Sequence, residues 1–136
     1  MKRIECVIMV EPVAKGRPRL GMAGGHAIAY TPKKTRTAEA DIKAAIRQQA
    51  MSFNYCFDPK VPISMSATFY IEKPKSKPKK VAMPVSRPDI DNYAKTLMDA
   101  CNQYVYPDDS QLTTVHFRKR YGTPPRIELV IQEEEV

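Results

Sequence analysis

Residues 87–111 read RPDIDNYAKTLMDACNQYVYPDDSQ. Ile90, Tyr93, Ala94, Leu97, Met98 and Cys101 recur at intervals of three and four, so they line one side of an amphipathic helix. Pro88 holds Arg87 extended, and Asp89 stands where the N-cap of that helix belongs. The helix is expected to end near Asn102. Four of the five aspartates in the stretch fall in two pairs, Asp89 with Asp91 and Asp108 with Asp109, in a chain whose formal net charge is +7. The placement of these acids is the functional question.

Upstream of the helix, "IECVIMV" at 4–10 is short, β-branched and apolar, and Pro12 stops it, so it predicts a strand. "PVAKGRPRLGMAGGHAIAYTPKK" follows, rich in glycine and proline, and reads as turns with a loose hairpin. From Thr31 or Thr35, either of which can cap, to Phe53, the positions Ala38, Ile42, Ala45, Ile46 and Phe53 predict a first helix. "SMSATFYI" at 64–71 alternates, with Met65, Ala67, Phe69 and Ile71 on one face of a half-buried strand. "KPKSKPKKVAMPVSRP" then predicts an extended loop, and two last strands, about 111–121 and 126–132, are joined by the turn "GTPP". This order predicts an α+β fold: one mixed β-sheet of about four or more strands with two main helices packed on it.

With 136 residues the chain is expected to form one domain, 1–136, around one core. No apolar run approaches the ~18 residues of a membrane helix, and Glu5 and Glu11 interrupt the apolar start. A soluble, cytoplasmic protein with no membrane partner is expected. Cys6, Cys56 and Cys101 are widely spaced and odd in number, which suits neither a disulfide framework nor a zinc site, so they are read as small core residues.

The positive charge is concentrated. Lys15, Arg17, Arg19, Lys33, Lys34 and Arg36 lie between Pro12 and Arg36 with no acid among them, and six more bases lie between Lys73 and Arg87, again with no acid. Outside these windows the chain is acidic by five charges. Such segregation is what a polyanion-binding surface requires.

Taken singly, each acid has a structural use: Asp89 as a cap, Asp91 with Lys95 as an i,i+4 pair, Pro107-Asp108-Asp109 as a turn. Taken together they suggest more. The residues 103–108 reach about 20 Å if extended, enough to run back along a helix of about 18 Å and bring Asp109 to the level of Asp89 and Asp91. Three converging carboxylates call for a hard divalent cation, Mg²⁺ or Mn²⁺, which would polarise a phosphate and lower the pKa of a water. Metal-assisted hydrolysis of nucleic acid follows from these parts. Asp99 is set aside as a partner for Lys95, and His26 and His116 have no ligand-spaced neighbours.

"RPDIDNYAKTLMDACN", then "YPDDSQ" and a strand ending in "RKRYG", resembles the RusA family of Holliday junction resolvases, common in bacteria and their prophages. "KGRPRL" and "YTPKKTR" resemble the amino-terminal half of phage-type members. The resemblance implies a Mg²⁺-dependent homodimer that makes paired symmetric nicks in four-way DNA junctions during recombination and repair. Its three catalytic, metal-binding aspartates fall on Asp89, Asp91 and Asp109 and its catalytic lysine on Lys95. Lys15, Arg17, Arg19, Lys33, Lys34, Lys75, Lys77, Lys79 and Lys80 are expected to contact DNA phosphates, although segment 73–87 is unusually rich in lysine and proline. The rival readings are a non-catalytic nucleic-acid-binding module and a metal-dependent nuclease acting on RNA or unbranched DNA.

Overall fold

The computed structural model describes residues 1–52 and 55–136. Its elements run β1 (Arg3–Ile8), β2 (Arg19–Ala23), β3 (His26–Tyr30), α1 (Lys33–Ala50), β4 (Ile63–Ile71), α2 (Ile90–Cys101), a 3₁₀ turn (Asp109–Gln111), β5 (Leu112–Tyr121) and β6 (Arg126–Glu133). The main sheet has the order β1-β6-β4-β5, with β4 and β5 parallel and the other pairs antiparallel. It is an α+β fold with a mixed four-stranded sheet. The predicted alternation along β4 places Met65, Ala67 and Phe69 in the core, joined by Ile63, while Ile71 at the strand's end is only partly buried. Cys6 and Ile8 from β1 and Ile127, Leu129 and Ile131 from β6 join the same core, which Ile42 and Ile46 of α1 and Tyr93, Ala94, Leu97 and Ala100 of α2 complete. Truncating a fully buried residue such as Leu97 to alanine would cost about 2–5 kcal/mol.

The last two strands differ from the hairpin that a four-residue turn suggests. β4 lies between them, so residues 122–125 cross the end of β4. Gly122 makes that crossing possible: its N–H donates to the Ile71 carbonyl at 3.0 Å, and a Cβ there would stand 2.5 Å from the Tyr70 ring. The expected hairpin near residue 20 is present as β2 and β3, turned by Gly24 and Gly25 at φ +58° and +81°. Two successive positive φ values are what a two-residue hairpin loop requires.

Neither threonine caps α1. Pro32 holds the N-cap position, and the buried Thr35 uses its hydroxyl to accept a hydrogen bond from Gly16 N–H at 3.1 Å. α1 ends at Ala50, and the predicted helical residue Phe53 lies outside the described residues. The three cysteines are free, with Cys6 and Cys101 buried, and burial pushes all three thiols up. Among the described residues no helix is long and apolar enough to cross a membrane.

Candidate active site

Helix α2 carries the site because its buried side is fully used by the core, which leaves the residues between the apolar positions facing outward. Asp91, Lys95 and Asp99 are four apart and therefore share one side of it. Asp91 and Lys95 are exposed and Asp99 is partly so. Asp89 occupies the N-cap position with extended backbone, yet its side chain makes no capping hydrogen bond. The backbone carbonyl of Asp89, not its carboxylate, accepts from Asn92 N–H at 3.1 Å. The carboxylate is thereby left for other work.

Past α2 the chain reverses at once. Gln103 adopts φ +56°, and the N–H groups of Tyr104 and Val105 both donate to the Cys101 carbonyl at 3.1 and 2.9 Å. Val105 and Tyr106 then plunge into the core. The reach of 103–108 is spent on this turn rather than on a return to the helix start. Asp109 N–H donates to Asn102 Oδ1 at 3.0 Å, so Asp109 is fastened at the C-terminal end of α2.

The two acids of the second pair have different jobs. Asp108 and Gln111 form a capping box around the 3₁₀ turn: Asp108 Oδ1 accepts from Ser110 N–H at 3.1 Å, and Gln111 Oε1 accepts from Asp108 N–H at 3.1 Å. Buried Gln111 also donates to the carbonyls of Asp58 and Val61 at 2.8 and 3.1 Å, pinning the turn to the loop before β4. Asp109 instead receives the Tyr106 hydroxyl on Oδ1 at 3.0 Å. Burial pushes the Asp109 carboxyl above the ordinary range. The Tyr106 hydrogen bond opposes this, the charges of Asp99 and Asp108 add to it, and Lys95 opposes it again. Asp109 therefore shares an electrostatic neighbourhood with Lys95 and Asp99. Burial, with the charges of Cys101 and Asp109 and the bond to Asp109, also pushes the Tyr106 hydroxyl far up, so it stays a donor.

Among the described residues, no three His, Cys, Asp or Glu side chains stand together as a ready-made metal site. Asp109 lies within the electrostatic reach of Lys95, while Asp89 and Asp91 are exposed at the other end of α2.

The basic windows meet at Asp89. Arg17 from the first and Arg87 from the second line one concavity with Pro88, Asp89 and Asn92. Arg17, Arg19 and Lys34 border an adjoining hollow that also reaches Pro88. Arg17, Arg19, Lys33, Lys34, Lys75, Lys79 and Lys80 are exposed. Lys77 is partly buried and donates to Ser86 Oγ at 3.0 Å.

Lys15 is placed unlike the others. Its Nζ lies 2.9 Å from Glu39 Oε1 and 3.0 Å from Asp99 Oδ2, and its own N–H donates to the Asn92 carbonyl at 2.9 Å. Asp99 thus pairs with Lys15 from the amino-terminal window, not with Lys95 one helical turn away. A lysine held between two carboxylates in a mostly buried position joins α1 to α2 and has no ammonium left to offer a phosphate. Sequence reasoning also passed over Tyr106, Asn102 and Lys119. Lys119 Nζ, from β5, donates to the carbonyls of Ser86 and Pro88 at 3.0 and 2.9 Å. Only the tyrosine beside the second acidic pair left a trace in the sequence; the other two act across folds of the chain.

A mixed sheet carrying an acid-bearing helix, with Arg17 and Arg87 gathered at the helix start, is an arrangement suited to a phosphodiester. Comparison with known proteins gives the family. The endodeoxyribonuclease RusA family model matches residues 10–132, and the chain belongs to that family. It is 32% identical to the uncharacterized protein YqaN of Bacillus subtilis over 143 aligned positions, covering 98% of each chain. It is also 37% identical over 79 residues to a protein of Lactococcus phage r1t named as a crossover junction endodeoxyribonuclease, covering 57% of this chain and 60% of the phage protein.

Proposed function

We propose that the protein is a divalent-cation-dependent, structure-specific endonuclease that resolves four-way DNA junctions as a homodimer, one nick per subunit in opposed strands. The observation that carries this reading is the meeting of Arg17, Arg87 and Asp89 around one concavity at the start of α2. There a phosphodiester held by guanidinium groups lies against a candidate metal-binding carboxylate. Family membership supplies the reaction class, and the phage relative's name supplies the junction.

Asp89 and Asp91, both at the start of α2, would hold Mg²⁺, with Mn²⁺ as a substitute, and Asp109, fastened at the far end of the helix, would complete the set only through a shift of the 103–109 turn toward them. An oxygen-only donor set is what these ions take. Asp89 fits further in that its carboxylate has no capping bond to give up. When bound, the ion would polarise the scissile phosphate and make a nearby water more acidic. Tyr106 orients the Asp109 carboxylate. Lys95 presents an exposed ammonium one helical turn from Asp91, suited to the charge that grows on the phosphate oxygens or the leaving oxygen. Arg17, Arg19, Lys33, Lys34, Lys75, Lys79 and Lys80 hold the flanking phosphates, which makes affinity fall with salt. Two equivalent scissile phosphates on opposed strands call for two copies of one site, and isologous pairing places them symmetrically.

The test is a nicking assay on a synthetic four-way junction, with and without Mg²⁺, against linear duplex and RNA of the same sequence. Junction-selective nicking that needs the ion, and that Asp89→Asn, Asp91→Asn and Asp109→Asn each abolish while junction binding persists, is the expected result. Binding without cleavage under all conditions would leave a nucleic-acid-binding module. Equal cleavage of the linear or RNA competitors would leave a less selective nuclease.

A further inference from the structure

Lys119 stands on β5, yet both of its observed contacts lie about thirty residues earlier in the chain. Its ammonium donates to the Ser86 carbonyl at 3.0 Å and to the Pro88 carbonyl at 2.9 Å. Those two carbonyls flank Arg87 and directly precede Asp89, whose backbone opens α2. The segment 86–88 has little else to fix it. Arg87, Pro88 and Asp89 are exposed, the Asp89 side chain makes no capping bond, and no strand hydrogen-bonds to this stretch among the described residues. Ser86 receives one more tie: its Oγ meets Lys77 Nζ at 3.0 Å. An ammonium shared by two carbonyls two residues apart fixes the peptide planes between them, because each carbonyl must point at the same nitrogen. The residues whose direction follows from those planes are Arg87 and Asp89, which line one concavity with Arg17.

We infer that Lys119 is a positioning residue for this site: it clamps the Ser86 and Pro88 carbonyls and so sets the direction in which Arg87 and Asp89 face the substrate. Lys119 touches neither the phosphate nor the ion. It acts through the backbone, from the one strand that is parallel to β4 and that continues from the Asp109 turn. β5 therefore joins the two ends of the site, carrying Asp109 just before its first residue and Lys119 near its last. Lys77 links the same node to the lysine-rich loop, so phosphates gripped by that loop bear on the segment that aims Asp89.

This inference rests on the endonuclease reading above, and its test is built to fail separately. Lys119→Met keeps the length of the side chain and removes its donors. Hydrogen exchange read by NMR is the first measurement and needs no activity: the Asn92 amide, which donates to the Asp89 carbonyl at 3.1 Å, is expected to exchange about tenfold or more faster in Lys119→Met, with the β4 and β6 amides unchanged. Unchanged exchange at Asn92 would overturn the clamp whatever the protein's function. The second measurement is junction nicking under single-turnover conditions. A misaimed catalytic group costs about 10- to 100-fold, so the nicking rate is expected to fall by that factor, with a smaller fall in junction affinity from the redirected Arg87 and, since that guanidinium keeps its charge at the surface, an unchanged salt slope. Lys119→Arg, which can still offer N–H groups to both carbonyls, should recover part of the rate. A lysine that contacts DNA would instead lower the slope of log K against log salt by about one, and that result would refute a positioning role. So would a wild-type rate in Lys119→Met. Should Lys119→Met melt too low to assay, Lys119→Gln under the same exchange measurement decides the matter. If wild type itself does not nick junctions, the proposed function falls, and the exchange result still stands or fails on its own.

Discussion

Replacing Lys15 by methionine is expected to destabilise the protein far more than the loss of a surface lysine. The side chains of Lys15, Glu39 and Asp99 are 16%, 19% and 30% exposed, and the ammonium lies 2.9 and 3.0 Å from the two carboxylates. An exposed ion pair contributes about 0–1 kcal/mol, whereas removing one member of a fully buried pair costs about 3–5 kcal/mol. Here one deletion strands two carboxylates that keep part of their water. Two charge-assisted bonds at about 1.5–3 kcal/mol each, cut by roughly half for that hydration, give about 1.5–3 kcal/mol. For a domain of this size about 4 °C of melting temperature accompanies each kcal/mol, so Tm should fall by about 6–12 °C. Burial, the largest influence on Lys15, disfavours its charge, but the hydrogen bonds and charges of Glu39 and Asp99 outweigh it and the pKa lies above the ordinary value. A raised pKa means that the folded state holds this proton more tightly. The stabilisation is whole below the unfolded lysine value of about 10.4 and is lost as pH rises through the folded one. Wild type should therefore approach the Lys15→Met protein in stability at alkaline pH. Calorimetry or thermal circular dichroism across pH 7 to 11 measures both. A Tm within about 2 °C of wild type at pH 7 would refute the ion-pair account. Adding Glu39→Gln and Asp99→Asn to Lys15→Met should restore part of the loss, because the stranded charges are gone.

Lys95→Ala should lower the nicking rate by on the order of 10²-fold, the usual effect of losing one preorganised donor at developing charge, with Tm unchanged since Lys95 is exposed. A lowered Tm with normal turnover would make it structural. Arg17→Ala with Arg19→Ala should weaken junction binding and reduce the salt slope by about 2 if both meet phosphates; a slope equal to wild type in filter binding places them off the DNA. Gly122→Ala puts a Cβ 2.5 Å from the Tyr70 ring and should cost about 1–3 kcal/mol in denaturant unfolding. Combining it with Tyr70→Ala should cost less than the sum of the single changes, and strict additivity would show that the ring is not the obstacle.

Much of the fold is carried by short-range pattern. The 3.6-residue recurrence from Ile90 to Cys101 and the alternation from Met65 to Ile71 are properties of neighbouring residues, and the structure buries Tyr93, Ala94, Leu97, Cys101, Met65, Ala67 and Phe69 while Met98 and Ile71 are partly buried and Ile90 is exposed. The hairpin is local too, since two adjacent glycines with positive φ suffice to turn it. The family resemblance is also written in short motifs, and the family match along 10–132 agrees with it. The structure then divides the Asp-Asp-Ser-Gln motif between two tasks: Asp108 and Gln111 cap and pin the turn, and Asp109 faces Tyr106 and α2. Reading that division from sequence would require knowing that Gln111 meets the loop at 58–61.

What tertiary structure alone decided has a common cause. The sequence limits how far a connection can reach but not which way it goes: residues 103–108 are long enough to return Asp109 to the start of α2, yet the burial of Val105 and Tyr106 commits them to a tight turn. Likewise "GTPP" is short enough for a hairpin, and β4 nevertheless inserts between β5 and β6 because its two flanks are both unpaired without them. Charge pairing follows the same rule. Asp99 has Lys95 one turn away on its own helix, but Lys15, 84 residues earlier, is the partner, because the amino-terminal segment packs between α1 and α2 where both ions lose water and their attraction strengthens. Composition placed twelve bases in two windows, and only the packed chain separates Lys15, spent between two acids, from Arg17 two residues on, which opens onto Asp89.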